Sequence, residues 1–274
     1  MVTATVPADS VIAPLPPVAP IRRVAPVPIA GMTPLTLIDY PGHLSAVLFL
    51  QGCPWRCPYC HNPELQPFDP TPDGPTWPEV RGFLRRRVGR LDAVVFSGGE
   101  PTAHEGLAQA MREVREFGYS VGLHTNGCRP DRVEALVDEG LIDWVGIDVK
   151  APRWLYGPVT GVDASAEATY RTLRILRRAG VDLQARVTVY RPWLDDEEVA
   201  RLAVELRDEG LRQLSLQPYR RPADAQAPHE DLSALQRRID AILQIDERTP
   251  SLRNGQWQAM SRFQRLPSRQ ESCA

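Results

Sequence analysis

The chain has few cysteines, a single lysine and no long apolar run. Five cysteines among 274 residues are too few, and odd in number, for a secreted disulfide framework. The longest clean apolar runs are short, for example residues 46–50, and this excludes a membrane-spanning helix. A net charge of -2 gives no argument for binding nucleic acid or an anionic membrane. Prolines interrupt the N-terminus where a secretory signal needs an apolar core, so we expect a cytoplasmic protein.

Strand and helix patterns alternate along most of the chain. Residues 1–33 are rich in Pro, Ala and Val without a period, which predicts a disordered or extended tail. The predicted strands are 44–50, 93–96, 119–123, 142–149, 183–189 and 214–217. The predicted helices are 78–88, 104–117, 130–139, 164–179, 195–208 and 232–243. Glycines that suit left-handed helix caps lie at Gly118, Gly140, Gly180 and Gly210.

The alternation predicts an α/β domain over residues 34–244, followed by an extension over residues 245–274. Six strand–helix units require a parallel sheet with right-handed crossovers. Periodicity alone leaves two architectures open, an open doubly wound sheet and a partial barrel.

The unusual residues follow the predicted strands. They are residues 53–60 after the first strand, Ser-Gly-Gly-Glu-Pro at 97–101, His-Thr-Asn-Gly at 124–127, Asp-Val-Lys at 148–150 and Gln-Pro-Tyr at 217–219. Because α/β folds place their sites at the carboxyl ends of parallel strands, these segments predict one functional site.

Three cysteines crowd into eight positions, at Cys53, Cys57 and Cys60. Three thiolates on a proline-rich loop can bind one face of an iron–sulfur cube and leave the fourth iron open. Three other interpretations compete with the cube: a glutaredoxin-type dithiol at Cys57 and Cys60, a c-type haem attachment site ending at His61, and a structural zinc site. The dithiol leaves Cys53 unexplained, haem attachment normally requires export, and adjacent Cys60 and His61 are awkward ligands for one tetrahedral ion.

This cysteine spacing together with Gly-Gly-Glu-Pro resembles the radical S-adenosylmethionine superfamily, over about residues 31–220. Within it, the chain is most similar to the activating proteins of anaerobic ribonucleoside-triphosphate reductase, and pyruvate formate-lyase activating enzyme is a related family. The motifs that carry the likeness are Ile-Asp-Tyr-Pro-Gly at 38–42, Tyr-Cys-His-Asn-Pro at 59–63, Asp-Val-Lys at 148–150 and Arg-Pro-Trp at 191–193. The resemblance implies a partial (β/α)6 barrel.

The resemblance also implies a role for each site residue. Cys53, Cys57 and Cys60 would ligate one [4Fe-4S] cluster whose fourth iron is chelated by S-adenosylmethionine. The residues implied to contact S-adenosylmethionine are Gly98, Gly99 and Glu100 at its amino group, Tyr59 and His61 near its adenine, Thr125 and Asn126 from the third strand, and Asp148 and Lys150 at its ribose and carboxylate. The chain departs from close relatives at His124, where they usually have an acidic residue, and this puts the third-strand contact in question.

Lys150 stands out without any comparison, since it is the one lysine among 32 basic residues. A compact ammonium at a strand end is not replaceable by a planar guanidinium where space is tight, which indicates a site role. Cys128, next to the predicted site, is either a small packing residue or a redox-sensitive thiol.

The implied function is reductive cleavage of S-adenosylmethionine to a 5′-deoxyadenosyl radical that takes a hydrogen atom from a glycine. By resemblance, the glycine belongs to an anaerobic ribonucleoside-triphosphate reductase, and the second partner is an electron donor such as flavodoxin or ferredoxin. Two alternatives remain. One is a radical enzyme that acts on a small molecule, such as a ring-forming synthase, and the other is a zinc-stabilised interaction module without enzymatic activity.

Overall fold

The structure is a computed structural model that describes residues 27–69, 73–219, 230–244, 252–253 and 256–257. The predicted tail before residue 27 and most of the predicted extension after residue 244, including Cys273, lie outside these residues.

Strands and helices alternate as the sequence predicts. The strands of the main sheet are β1 (Ile29–Thr36), β2 (Ser45–Leu50), β3 (Ala93–Gly98), β4 (Ser120–Thr125), β5 (Trp144–Asp148), β6 (Asp182–Val189) and β7 (Ser215–Pro218). The helices are α1 (Trp77–Arg87), α2 (Leu107–Glu116), α3 (Pro130–Asp138), α4 (Tyr156–Thr160), α5 (Ser165–Ala179), α6 (Asp196–Asp208) and α7 (Ser233–Leu243). Short 3-10 helices cover Pro63–Leu65, Pro101–Ala103 and Arg153–Leu155, and two-residue strands β8 (Leu252–Arg253) and β9 (Gln256–Trp257) pair antiparallel. In the part of the chain described here, no helix is both long and apolar enough to cross a membrane.

Local sequence fixes where several helices begin and end. At the start of α1, the Thr76 amide donates to the Glu79 carboxylate at 2.8 Å, and Thr76 and Glu79 form a capping box. At the start of α6, the Asp195 side chain accepts from the Glu198 amide at 2.9 Å. The four glycines predicted to end helices all have positive φ angles, from 63° to 87°.

The order of the strands decides between the two predicted architectures. The main sheet runs in simple sequence order from β1 to β7, and β2 to β7 are all parallel. A doubly wound sheet would reverse direction at a switch point, whereas successive crossovers in one direction curve a sheet into a barrel. The fold is therefore the expected partial barrel, with six parallel strands and an unclosed sheet in the described chain.

The two faces of the curved sheet have different chemistry. One face packs against the helices through apolar side chains such as Leu48 and Phe96. The inner face begins with an apolar floor, where Tyr40 stacks on Trp144 with 5.1 Å between ring centroids. A Cβ at Gly122 would lie 3.2 Å from the Tyr40 ring, so the glycine leaves room for this ring on the apolar floor. Toward the carboxyl ends of the strands, the inner positions become polar.

Strand β1 corrects the predicted tail boundary. Residues 29–33 belong to the sheet, since β1 pairs antiparallel with β2 from Ile29 opposite Leu50 to Thr36 opposite Ser45. The strand escapes pattern recognition because it contains a glycine and Pro34 and its register shifts twice. Proline is tolerated here because β1 is an edge strand.

Candidate active site at the carboxyl ends of the strands

The three clustered cysteines lie on the loop between β2 and α1. Cys53 is buried, while Cys57 and Cys60 are partly exposed. Trp55, between the first two cysteines, is only 2% exposed and meets the ring of Tyr156 edge-on. The loop thus places its thiols next to an aromatic wall that excludes water from one side.

Backbone and side-chain hydrogen bonds hold this cysteine loop in shape. The side-chain amide of Gln51 donates to the carbonyls of Glu64 and Pro67 at 2.9 and 2.8 Å. The Cys53 amide donates to the Gln66 carbonyl at 3.0 Å. These bonds tie residues 51 and 53, at the start of the cysteine loop, to residues 64–67 after it, so the protein's own hydrogen bonds support the shape of the loop.

A buried carboxylate joins the Gly-Gly-Glu turn to the end of β4. The Glu100 side chain is fully buried and accepts four hydrogen bonds, from the amide and hydroxyl of Thr102, the hydroxyl of Thr125 and the amide of Asn126. Burial raises the pKa of Glu100, and these donors offset part of the effect. Since internal donors occupy this side chain, its role is to organise the turn.

Asn126 connects that turn to the first cysteine. Its amide nitrogen Nδ2 lies 3.7 Å from the Cys53 Sγ and donates to it. Burial, followed by the Glu100 charge, raises the pKa of Cys53 to about 12. Without a metal this thiol keeps its proton, and a coordinated metal would displace the proton.

A second group of predicted residues forms around Asp148. The Lys150 Nζ lies 3.2 Å from Asp148 Oδ2, and the Lys150 side chain is 16% exposed. The Tyr59 hydroxyl donates to the Lys150 carbonyl at 3.3 Å, and the Lys150 amide donates to the Tyr156 hydroxyl at 3.0 Å. Burial favours neutral forms, but the Lys150 and Arg186 charges hold the pKa of Asp148 below its usual range, and Asp148 holds the pKa of Lys150 above its usual range. Lys150 also lowers the pKa of Cys57 against the larger effect of burial, so this cation reaches the cysteine loop.

His124 occupies the inner face between these two groups. Its Nε2 lies 2.8 Å from the Asp39 carbonyl, which can only accept, so the ring carries its proton on Nε2 and its Nδ1 accepts from the Ser97 hydroxyl at 3.2 Å. Burial and the nearby Arg186 guanidinium lower the pKa of His124 to about 3. The histidine is therefore a neutral donor in the folded protein.

An aromatic cluster covers the side of the cysteine loop that faces β6 and β7. Tyr59, only 3% exposed, stacks on Tyr190 with 5.4 Å between centroids, and His61 lies parallel to Tyr219 at 5.7 Å. Tyr190 and Tyr219 meet edge-on at 5.0 Å. This aromatic cluster joins the loop after β2 to the ends of β6 and β7 across the mouth of the barrel.

The geometry bears on the type of metal centre. Within the described ranges, no three His, Cys, Asp or Glu side chains converge as one metal ion would require. The cysteines of an iron–sulfur cube each bind a different iron atom, so they need not converge on one point. The donor set of three thiols on one loop, with an amide donor and a lysine nearby, fits the cube.

The sequence motifs find much of this arrangement but not all of it. The structure brings Glu100, Thr125, Asn126 and Cys53 together, and separately Asp148, Lys150 and Tyr59. Sequence reasoning missed Arg186, a charged side chain on an inner position of β6. A signal was present, because an arginine between apolar residues in a strand that alternates inward and outward marks a polar interior.

Comparison with known proteins adds three findings. A profile described as Radical SAM superfamily matches residues 47–203. A protein of Methanocaldococcus jannaschii, named provisionally as a glycyl-radical enzyme activating enzyme, is 34% identical over 185 residues, which cover 66% of this chain and 75% of the relative. The 7-carboxy-7-deazaguanine synthase of Methanopyrus kandleri is 32% identical over 225 residues, which cover 74% of this chain and 83% of the relative.

Solved structures share the fold. Streptococcus suis SuiB bound to S-adenosylmethionine matches with a TM-score of 0.54 and 16% identity over 70% of this chain. The match covers 44% of the SuiB chain, so this chain spans less than half of that protein.

Proposed function

Because the chain belongs to the radical SAM superfamily, we propose that it is an activating enzyme that generates a glycyl radical on a partner enzyme. The observation that carries the radical chemistry is the contact set around Glu100 and Asn126, which couples the Gly-Gly-Glu turn to Cys53. The Methanocaldococcus jannaschii relative supports the activating role, since the match covers three quarters of its length.

The cysteine loop would hold the [4Fe-4S] cluster through Cys53, Cys57 and Cys60. The Asn126 amide would donate to the Cys53 thiolate, and the Lys150 ammonium would offset the charge of the Cys57 thiolate. When bound, the cluster would supply the one electron needed for reductive cleavage of S-adenosylmethionine, the source of the radical that would take a hydrogen atom from the substrate. Trp55 and Tyr59, both almost fully buried, would keep water away from that reaction.

The other predicted residues would bind S-adenosylmethionine. Amides of the Gly-Gly-Glu turn are already used, because Gly99 donates to Leu50 and Glu100 donates to Gly52 at 2.8 and 2.9 Å. The turn would therefore offer carbonyl oxygens of Gly98 and Gly99 to the amino group, while the Glu100 side chain holds the turn. The remaining contacts would be Asp148 and Lys150 at the ribose and carboxylate, Tyr59 and His61 near the adenine, and Thr125 and Asn126 along β4.

The hydrogen donor would be the Cα of a glycine in an anaerobic ribonucleoside-triphosphate reductase, and flavodoxin or ferredoxin would supply the electron. A radical enzyme acting on a small molecule is the second candidate. The Methanopyrus kandleri synthase favours it, because the match covers 83% of that relative.

The test begins with anaerobic reconstitution. We expect about four iron and four sulfide per chain, and loss of the cluster in Cys53→Ala, Cys57→Ala and Cys60→Ala. Cys128→Ala is the matched control and should keep its iron. Stoichiometric zinc without iron uptake would overturn the cluster assignment.

The second step tests the substrate. Loaded protein is incubated with S-adenosylmethionine, a reductant and an anaerobic ribonucleoside-triphosphate reductase, and electron paramagnetic resonance is recorded. We expect a glycyl radical signal that disappears when the partner's radical glycine is replaced by alanine. Cleavage of S-adenosylmethionine without any glycyl radical would reject the activating role and favour the small-molecule enzyme.

A further inference from the structure

Arg186 makes the closest contacts to the Asp148 carboxylate. The two residues are register partners on β5 and β6. Arg186 Nε and Nη2 each lie 3.0 Å from Asp148 Oδ1, and the Arg186 side chain is only 10% exposed. Lys150 contacts the other oxygen, Oδ2, at 3.2 Å. One carboxylate therefore stands between two cations.

The guanidinium is fixed in place on several sides. A Cβ at Gly146 would lie 3.0 Å from its Cζ, so the group rests directly on the Gly146 backbone. Its Nη2 lies 3.5 Å from the Gly146 carbonyl, and its Nη1 packs 3.3 Å from His124 Nε2, a contact between two donors that is not a hydrogen bond. Arg186 cannot leave Asp148 without repacking the barrel interior.

Lys150 is held differently. One carboxylate oxygen contacts its ammonium, on a stem with four rotatable bonds, and its charge also acts on Cys57. The Asp148 side chain is 36% exposed in the structure, and a ligand bound beside it would cover it. If Lys150 were the sole counter-ion of Asp148, turning its ammonium toward that ligand would leave the covered carboxylate without a cation, which is unfavourable. Arg186 removes that obstacle.

We propose that Arg186 is the permanent counter-ion of Asp148 and that it frees the Lys150 ammonium to bind the carboxylate of S-adenosylmethionine. Arg186 is thus a positioning residue that acts through Lys150. The inference rests on the proposed contact between Lys150 and S-adenosylmethionine.

The test is a double-mutant cycle between two residues of the same charge. Dissociation constants for S-adenosylmethionine are measured by equilibrium dialysis on cluster-loaded protein, with iron content and thermal midpoint recorded. Arg186→Gln should weaken binding about 10-fold or more, because the remaining cation must stay on Asp148. In a Lys150→Gln background the same change should cost less than about 3-fold, because there is no ammonium left to free.

Equal losses in the two backgrounds would overturn the proposal, because they are the result expected if Arg186 contacts S-adenosylmethionine directly or only orients Asp148. Arg115→Gln is the matched control, since Arg115 pairs with Asp143 at 2.6 Å away from the site and its loss should leave binding unchanged. If Arg186→Gln fails to fold, Gly146→Ala keeps every charge while its Cβ would meet the Arg186 Cζ at 3.0 Å and the Trp144 ring at 2.9 Å, and the same cycle with Lys150→Gln applies. A wild-type chain that binds no S-adenosylmethionine would instead reject the proposed function itself.

Discussion

At the scale of single residues, the site depends on polar side chains whose partners lie on other strands. Glu100 is an example, because its carboxylate bonds Thr125 and Asn126, which lie 25 and 26 positions away. A Gly-Gly-Glu-Pro motif predicts that the glutamate belongs to the functional site, but it does not predict whether the carboxylate binds a ligand or another part of the protein. That depends on which donors the fold brings to it, here the end of β4.

The same limit explains why Lys150 is predictable from the sequence and Arg186 is not. Lys150 is conspicuous by composition, since every other basic residue is arginine. Arg186 is one of many arginines, and its importance comes from its register opposite Asp148, 38 positions earlier. Register between distant strands is set by tertiary packing, which no local pattern contains.

Replacement of Lys150 tests its site role. Its ammonium contacts Asp148 and is largely buried, so a longer planar head does not fit the same space. A charge-assisted contact is worth roughly 1.5–3 kcal/mol, so Lys150→Ala should weaken S-adenosylmethionine binding about 10- to 150-fold. Lys150→Arg should be nearly as harmful, and both variants should keep their iron. Wild-type affinity in Lys150→Arg would show that any positive charge serves.

His124 should make the stability of the protein depend on pH. Its pKa is about 3 in the folded state and about 6.5 when unfolded, so the unfolded chain takes up a proton that the folded chain refuses. Stability is therefore complete above pH 6.5 and decreases as the pH falls toward 3. From pH 7.5 to 5.5, the wild type should lose about 1.4 kcal/mol more unfolding free energy than His124→Gln, measured by urea titration. Parallel pH dependences in the two proteins would contradict the burial of a neutral imidazole.

At the scale of elements, all six strand–helix units were predictable because each has its own period, and four of the six helices end at a glycine. The elements that escaped include β1, the five-residue helix α4, the three short 3-10 helices and the two-residue strands β8 and β9. Helix α4 includes a glycine and a proline in its sequence Tyr-Gly-Pro-Val-Thr, and its stability comes from packing, since Tyr156 and Val159 are fully buried. Short elements without a periodic sequence pattern of their own form because of the tertiary contacts they make, so the sequence alone does not reveal them.

Contact between two loops requires a glycine at position 99. A Cβ there would lie 2.2 Å from the Gly52 carbonyl oxygen, which is backbone and cannot move aside cheaply. Gly99→Ala should therefore cost roughly 1–3 kcal/mol of unfolding free energy and reduce iron content, because it pushes the Gly-Gly-Glu turn away from the cysteine loop. Gly31→Ala is the control, since a Cβ at that position would have no atom within 4 Å. Equal melting temperatures and iron contents in the two variants would refute the close approach.

At the scale of the whole molecule, the sequence left the choice between a doubly wound sheet and a barrel open. Both architectures use identical strand–helix units, and they differ only in the direction of each crossover. The observed strand order from β2 to β7 brings every motif-bearing strand end around one mouth. Residues at or just after the ends of β2, β3, β4 and β5 can then act on one ligand, although the first and last predicted site residues, Cys53 and Lys150, are almost 100 positions apart.

Edge strand β1 gives the last prediction, because it supports both the sheet and the cysteine loop. Val27 and Ile29 are 5% and 7% exposed, and the backbone amide of Gln51 donates to the Pro28 carbonyl at 2.9 Å. A chain that starts at Val27 should match the full chain in melting temperature and iron content. A chain that starts at Leu37 should lose roughly 3–6 kcal/mol from the two apolar side chains alone, a large part of the 5–15 kcal/mol typical of a folded protein. It should also retain less iron, because Gln51, which holds the cysteine loop, loses its anchor on residue 28. Full iron content without β1 would show that the cysteine loop folds independently of the edge strand, and instability of the chain from Val27 would show that the first 26 residues contribute to the fold.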